Sequence, residues 1–189
     1  MLILYFLIYS FLGWIMESIY CFIVDKKFVN RGFLIGPVCP IYGDGCMFII
    51  LFLDKYREDS IVLFCMAVII CSILEYFTSY IMEKIFKTRW WDYSQKKYNL
   101  NGRICLDNII AFGVLGLVLT YFIHPFVKDI LLIIDPLLLK VISSILLILF
   151  LVDVSVSTKI IYRIKGVENK VLTDQTEEIN AKVKEALQS

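Results

Sequence analysis

Glu17, Glu75 and Asp153 sit inside apolar stretches of this 189-residue chain, and Asp44 sits within a fourth stretch. Glu17 lies fifteen residues beyond Leu2, and Glu75 fourteen beyond Ile61. At the helical rise these separations correspond to depths of about 22 and 21 Å. Two carboxylates carried by helices of the same direction therefore reach one level. An acid facing hydrocarbon at that depth costs several kcal/mol, so intramembrane acids turn toward a bundle interior, where they mark ion pathways, proton relays or ligand sites. The flanking residues agree: Ser10, Gly13, Trp14, Glu17 and Cys21 share one face of the first stretch. Ser72, Glu75, Tyr76, Ser79 and Glu83 share one face of the third. The structural alternative for Glu17 and Glu75 is a helix-to-helix hydrogen bond. For Glu83 and Asp153, nearer a membrane surface, solvation is the expectation.

A second chemically distinctive segment is NRGFLIGPVCPIYGDG, Asn30 to Gly45. Pro37 and Pro40 each remove a backbone donor and bend or break a helix. Gly32, Gly36 and Gly43 permit close backbone approach, and Asn30, Arg31, Tyr42 and Asp44 supply polar groups beside them. Irregular backbone at membrane depth persists only where protein or a water-filled cavity satisfies its freed groups. The segment is thus expected to line a cavity, as the discontinuous helices of transporters do. A kinked helix packed through its glycines is the alternative.

The segment from Thr88 to Asn108 carries TRWWDYSQKKYNLNGRICLDN. Trp90, Trp91 and Tyr93 read as interfacial anchors. Asp92, Asn99, Asn101 and Arg103 are candidates for a site. Asn101, Gly102 and Arg103 open one apolar stretch much as Asn30, Arg31 and Gly32 open another, which hints at a diverged two-helix repeat. Folded over a cavity, Arg31 and Arg103 could balance Glu17 and Glu75 or hold an anionic head group through forked hydrogen bonds. Ordinary topological charges are the alternative.

The elements that must position these residues are membrane helices. With a bilayer core of about 30 Å needing roughly 20 helical residues, spans are predicted near Leu2 to Val24, Phe33 to Leu53, Ile61 to Phe86, Ile104 to His124 and Leu137 to Thr158. The fold class is an all-α membrane bundle of about five helices, the second broken or kinked at Pro37 and Pro40. Residues 1–158 form the transmembrane domain and 159–189 a polar cytosolic tail, in which Leu172, Thr176, Ile179, Val183 and Ala186 make a short helical stripe. The chain is 59% hydrophobic with a mean hydropathy of +0.77, which argues against a soluble enzyme. The first span has no basic n-region and no A-x-A-like cleavage site, so it reads as a retained helix. Placing the N-terminus outside and the C-terminus in the cytosol leaves only Lys55, Arg57, Lys128 and Lys140 external among 19 basic residues, as the positive-inside rule requires. The membrane is the cell membrane.

Net charge of +1 conceals that segregation and offers no nucleic-acid surface. Six cysteines without a C-x-x-C pair read as small hydrophobes. The single histidine, His124, excludes a multi-histidine metal site within one chain. Neither a metal nor another cofactor is implied. No G-x-x-x-x-G-K-[ST] phosphate loop is present, so hydrolysis of ATP by that route would need a separate polypeptide. Gly113, Gly116 and Thr120 form a small-residue stripe suited to helix packing within the chain or to a homo-oligomer.

The segments GWIMES (Gly13 to Ser18), NRGFLIGPVCPIYGDG, EYFTSYIMEKIF (Glu75 to Phe86) and WWDYSQKKYNLNGRICL (Trp91 to Leu106) occur in that order. In them, from roughly Tyr5 to Ile123, the chain resembles the family of putative ABC-transporter type IV permeases. The resemblance implies a multi-pass, permease-like protein, with motif positions that include Glu17, Asn30, Arg31, Tyr42, Glu75, Asp92, Tyr93, Asn99 and Arg103. The expected function is a transport subunit for a small molecule, with a cytosol-facing polar cavity and a separate ATPase. Alternatives are a membrane enzyme acting on a lipid, with Glu17, Glu75 or Asp92 as acid/base and Arg31 or Arg103 on phosphate, and a non-transporting sensor or assembly protein.

Overall fold

The computed structural model describes residues 1–26, 30 and 32–164. Arg31 and the tail stripe from Leu172 to Ala186 lie outside these residues. The chain is an all-α bundle in which, among the described residues, four helical stretches are long and apolar enough to cross a membrane: Leu2–Ile23, Ser60–Phe86, Leu106–Ile133 and Pro136–Tyr162. Large apolar side chains point outward from them, among them Ile23, Phe122, Ile133 and Leu137. A surface of this kind suits lipid rather than water.

Helix α1 (Leu2–Asp25) ends on Lys26 in a left-handed conformation. The next helix, α2 (Pro40–Phe48), does not begin until Pro40. Cys39 precedes it in an extended conformation, and proline occupies the first helical turn, where its missing N–H is no loss. Helical structure continues through a widened π turn, Ile49–Leu53, and a short 3-10 turn, Asp54–Tyr56. The second predicted span is therefore irregular over its first third, residues 33–39, and helical from Pro40 to Leu53, so the break falls before Pro40. Around Pro37 the chain closes a three-residue turn, with the Val38 N–H donating to the Gly36 carbonyl at 2.8 Å.

Helix α3 (Ser60–Phe86) starts on Asp59, whose carboxylate accepts from the Ile61 and Val62 N–H groups at 3.1 and 3.0 Å. Such caps satisfy donors that helical geometry leaves orphaned. After α3 the chain forms a small antiparallel hairpin, β1 (Asn99–Leu100) with β2 (Ile104–Cys105). Helix α4 (Leu106–Val118), a second π turn (Leu119–Ile123) and α5 (His124–Ile133) then run as one long helical stretch. The last helix, α6 (Pro136–Ile164), is capped by Asp135 and passes Thr158 without interruption.

The small residues are spent on packing within the chain. A Cβ at Gly113 would collide with Phe64, and one at Gly116 with Ala67, so both glycines let α4 close on α3. Gly43 brings α2 against Ser10 and Phe6 of α1 in the same way. The main core, which includes Tyr9, Ile49, Leu53, Leu63, Ala67 and Leu119, joins these helices. A second cluster of Phe86, Trp90 and Ile161 lies on the side of the hairpin, with Phe33 and Trp91 packed against it. Trp90 is only 5% exposed, so it folds into the bundle instead of anchoring at an interface.

Candidate functional site

The irregular chain before α2 is held by side chains from two helices. Asp153 on α6 accepts from the Ile35 N–H at 3.1 Å and the Gly36 N–H at 2.9 Å. Ser157, one turn further on, accepts from Ile35 at 3.2 Å and donates to Asp153 at 2.9 Å. On the α1 side, the Cys39 N–H donates to the Ser10 carbonyl at 2.9 Å, and Trp14 donates to the Asn30 side chain at 2.5 Å. Asn30 in turn donates to the Leu34 and Ile35 carbonyls at 3.5 and 3.1 Å. These backbone groups of the irregular segment thus find partners within the protein, as buried irregular chain requires. Asp153, expected to be solvated, is a backbone clamp.

This fixed segment forms one wall of a cavity of about 310 Å³, which is also lined by residues of α1, α2, α3, α4 and the Trp90–Tyr93 stretch. Glu17 and Glu75 both line it, as do Gly32, Pro40, Tyr42 and Asp44. Ile49 and Leu119, the first residues of the two π turns, also line it. A π turn widens the helix locally and is frequent beside functional sites. Most of the wall is apolar and aromatic, so the predicted polar cavity is an apolar chamber with a few convergent polar groups. That is the usual make-up of a small-molecule pocket.

The polar groups fall into two sets. In the first, the Tyr42 hydroxyl donates to Glu17. Gly13 makes this possible, since a Cβ there would collide with the Tyr42 side chain. In the second, Glu75 Oε1 accepts from the Tyr93 hydroxyl at 3.3 Å and from Asn108 Nδ2 at 3.2 Å. Asn108 also donates to the Tyr93 oxygen at 2.7 Å, which ties loop, α3 and α4 together. Burial first, and the neighbouring Glu75 carboxyl second, push the Tyr93 phenol up, so it remains a donor. Glu75 is 7% exposed, and its Oε2 has no hydrogen-bond partner. Leaving such an atom unsatisfied costs about 1–3 kcal/mol.

Arg103 is not among the described residues that line the cavity. Its guanidinium meets Glu83 at 2.7 Å and donates to Ser79 at 3.2 Å. It also lies 5.4 Å from the Tyr80 ring centroid and 5.8 Å from that of Tyr76. Glu83, expected to be solvated, also accepts from Arg89 at 2.8 Å. The position that suggested an anion fork is therefore committed to an ion-pair network beside the cavity. The turn preceding it explains the local sequence. Asn101 and Gly102 both have positive φ, and the Arg103 N–H donates to the Leu100 carbonyl at 3.0 Å. These two left-handed residues make the tight turn that an Asn-Gly pair favours, within a three-residue loop, since Leu100 pairs with Ile104.

Asn99 serves the same turn, and Asp92 is engaged by its own loop. Asp92 accepts from the Ser94 hydroxyl and N–H, at 2.5 and 3.0 Å. Burial works to raise Asp92, but these bonds and the nearby Arg89 outweigh it and hold the carboxyl below its ordinary range. Asn99 accepts from the Gly102 N–H at 2.8 Å. Neither Asp92 nor Asn99 is among the described cavity residues. The residue that sequence reasoning passed over is Asn108. Its place in the first turn of α4, a helix whose Gly113 and Gly116 pack on α3, was the available signal.

Among the described residues, no group of three or more His, Cys, Asp or Glu side chains could hold a metal ion. The searches of curated proteins and of solved structures returned no match. A family model, by contrast, matches residues 4–158, which takes in every cavity residue and the clamp at Asp153. The chain accordingly belongs to the family described as "Putative ABC-transporter type IV".

Proposed function

We propose that this protein is a permease-like transport subunit of the cell membrane that carries a small molecule by way of the cavity between α1, α2, α3 and α4. The observation that supports the reading is the wall itself: irregular backbone, held by Asp153 and Ser10, beside a chamber lined by Glu75, whose buried Oε2 has no hydrogen-bond partner. Discontinuous helices flanking a midplane site are a recurrent arrangement in transporters. Energy comes from a separate ATPase, in keeping with a sequence that has no phosphate loop. The N-terminus is external and the hairpin side faces the cytosol, in line with the distribution of Lys and Arg. A lipid-modifying enzyme is less favoured, since Arg103, its candidate phosphate holder, is bound to Glu83.

Everted vesicles from an expressing strain and from its deletion counterpart test the reading with a panel of radiolabelled small molecules. Uptake that requires both the chain and ATP is expected for at least one class. Equal uptake by the two vesicle preparations across the whole panel refutes the proposal.

A further inference from the structure

We infer that the cavity binds a protonated amine carried on an apolar body, with Glu75 Oε2 as its anchor. The inference rests on the reading of this cavity as the substrate pathway and specifies the chemistry of what enters it.

Three observations converge. Glu75 is 93% buried, at 7% exposure, and Oε1 is already engaged by Tyr93 and Asn108, whereas Oε2 has no partner. A ligand that donates a hydrogen bond is therefore the missing complement. Next, the described cavity residues include Glu17, Asp44 and Glu75 but no Lys, Arg or His, so among them the charged groups are all acidic. Among the described residues, the buried guanidinium of Arg103 is held by Glu83 and Ser79. Finally, Phe33, Tyr42, Trp90, Trp91, Tyr93 and Phe112 line the same chamber. Aromatic faces attract cations, the more so when water is excluded, and they also accommodate the apolar part of such a ligand. An ammonium group gives Oε2 both a donor and a countercharge. A chamber of about 310 Å³ leaves room for an aryl or short alkyl body beside it.

The test uses the purified full chain in mild detergent and three probes of similar shape: 2-phenylethylammonium, the neutral donor 2-phenylethanol, and the anion 3-phenylpropionate. Binding is read by calorimetry and by quenching of tryptophan fluorescence, to which Trp90 and Trp91 on the cavity wall contribute. The ammonium is expected to bind on the order of tenfold to a hundredfold more tightly than the other two, the range of a hydrogen bond to a charged group. E75Q should bring the ammonium close to the alcohol in affinity, while keeping an oxygen for Tyr93 and Asn108. Equal binding of all three probes by the wild-type chain overturns the amine inference and leaves the pathway reading standing. Binding of none also overturns the amine inference, while the pathway reading stands or falls with the vesicle panel. A preference that survives in E75Q overturns the anchor assignment. The wild-type comparison does not depend on how well the variant folds.

Discussion

Removing the Asp153 carboxylate should loosen the irregular segment without unfolding the bundle. In Asp153→Ala, the Ile35 N–H keeps Ser157 Oγ at 3.2 Å, but the Gly36 N–H loses its only acceptor, now at 2.9 Å. A hydrogen bond to a charged group contributes about 1.5–3 kcal/mol, and an orphaned donor at a partly buried site costs a similar amount. A net local destabilisation of about 2–3 kcal/mol follows, which raises the open population of the segment by roughly 30-fold to 150-fold. Cys39, 5% exposed and at the end of this segment, reports the opening through its rate of alkylation by N-ethylmaleimide, read site by site by mass spectrometry. Cys105, 1% exposed in the hairpin, is the control. Faster labelling of Cys39 alone is expected. Unchanged labelling of Cys39 refutes the clamp, and parallel acceleration of Cys105 shows a general loosening instead. Ser157→Ala should have a much smaller effect, because Ile35 still donates to Asp153 at 3.1 Å.

Arg103→Lys keeps the charge but loses the planar contact with Tyr80 and part of the Glu83 and Ser79 bonding, so thermal stability in detergent should fall by about 1–2 kcal/mol; a wild-type melting curve refutes the network. Gly102→Ala forces a Cβ toward Asp92 and Ser94 at φ +68°, and should cost on the order of 1–3 kcal/mol, measured by the same melt. Asp92, held below its ordinary range, contributes loop stability that is present above the unfolded carboxylate range and lost as pH falls through the lower folded value. Asp92→Asn should flatten that acid-side fall in a pH series of melts. Glu17→Cys combined with Glu75→Cys should crosslink with a short bifunctional reagent in membranes, since both positions face one cavity; no crosslink with reagents of any length would separate them.

What the sequence made legible was governed by single-residue physics. Hydropathy located the membrane-crossing helices because each needs only an unbroken run of apolar residues. The break before α2 followed from two prolines, whose missing donors act on the backbone wherever they occur. Glu17 and Glu75 could be brought to one level because depth along a helix is a count of residues. The partners of the other acids were not legible. Asp153 lies 117 residues from Gly36, and no local rule joins a carboxylate late in the chain to a pair of amides near its start. Near a surface, solvation was the simpler expectation, and the fold replaced water with backbone. The Asn101-Gly102 pair is a local turn signal, since both residues adopt the positive φ that Asn and Gly tolerate.

The same comparison sharpens what is unusual about Glu75. Three of the other acids whose role was in question have donors that account for them: Tyr42 for Glu17, two arginines for Glu83, and two amides with a serine for Asp153. Those pairings also absorb the described arginines of the hairpin side, because Arg89 and Arg103 converge on a single carboxylate oxygen, Glu83 Oε2. Had either guanidinium turned inward instead, the cavity would carry a fixed countercharge and a cationic ligand would have no advantage there. The Glu83 network thus does two things at once. It fastens the hairpin to α3, and it keeps positive charge from Arg89 and Arg103 on a carboxylate outside the described cavity wall, so that the wall retains its acids and the one unsatisfied oxygen of Glu75.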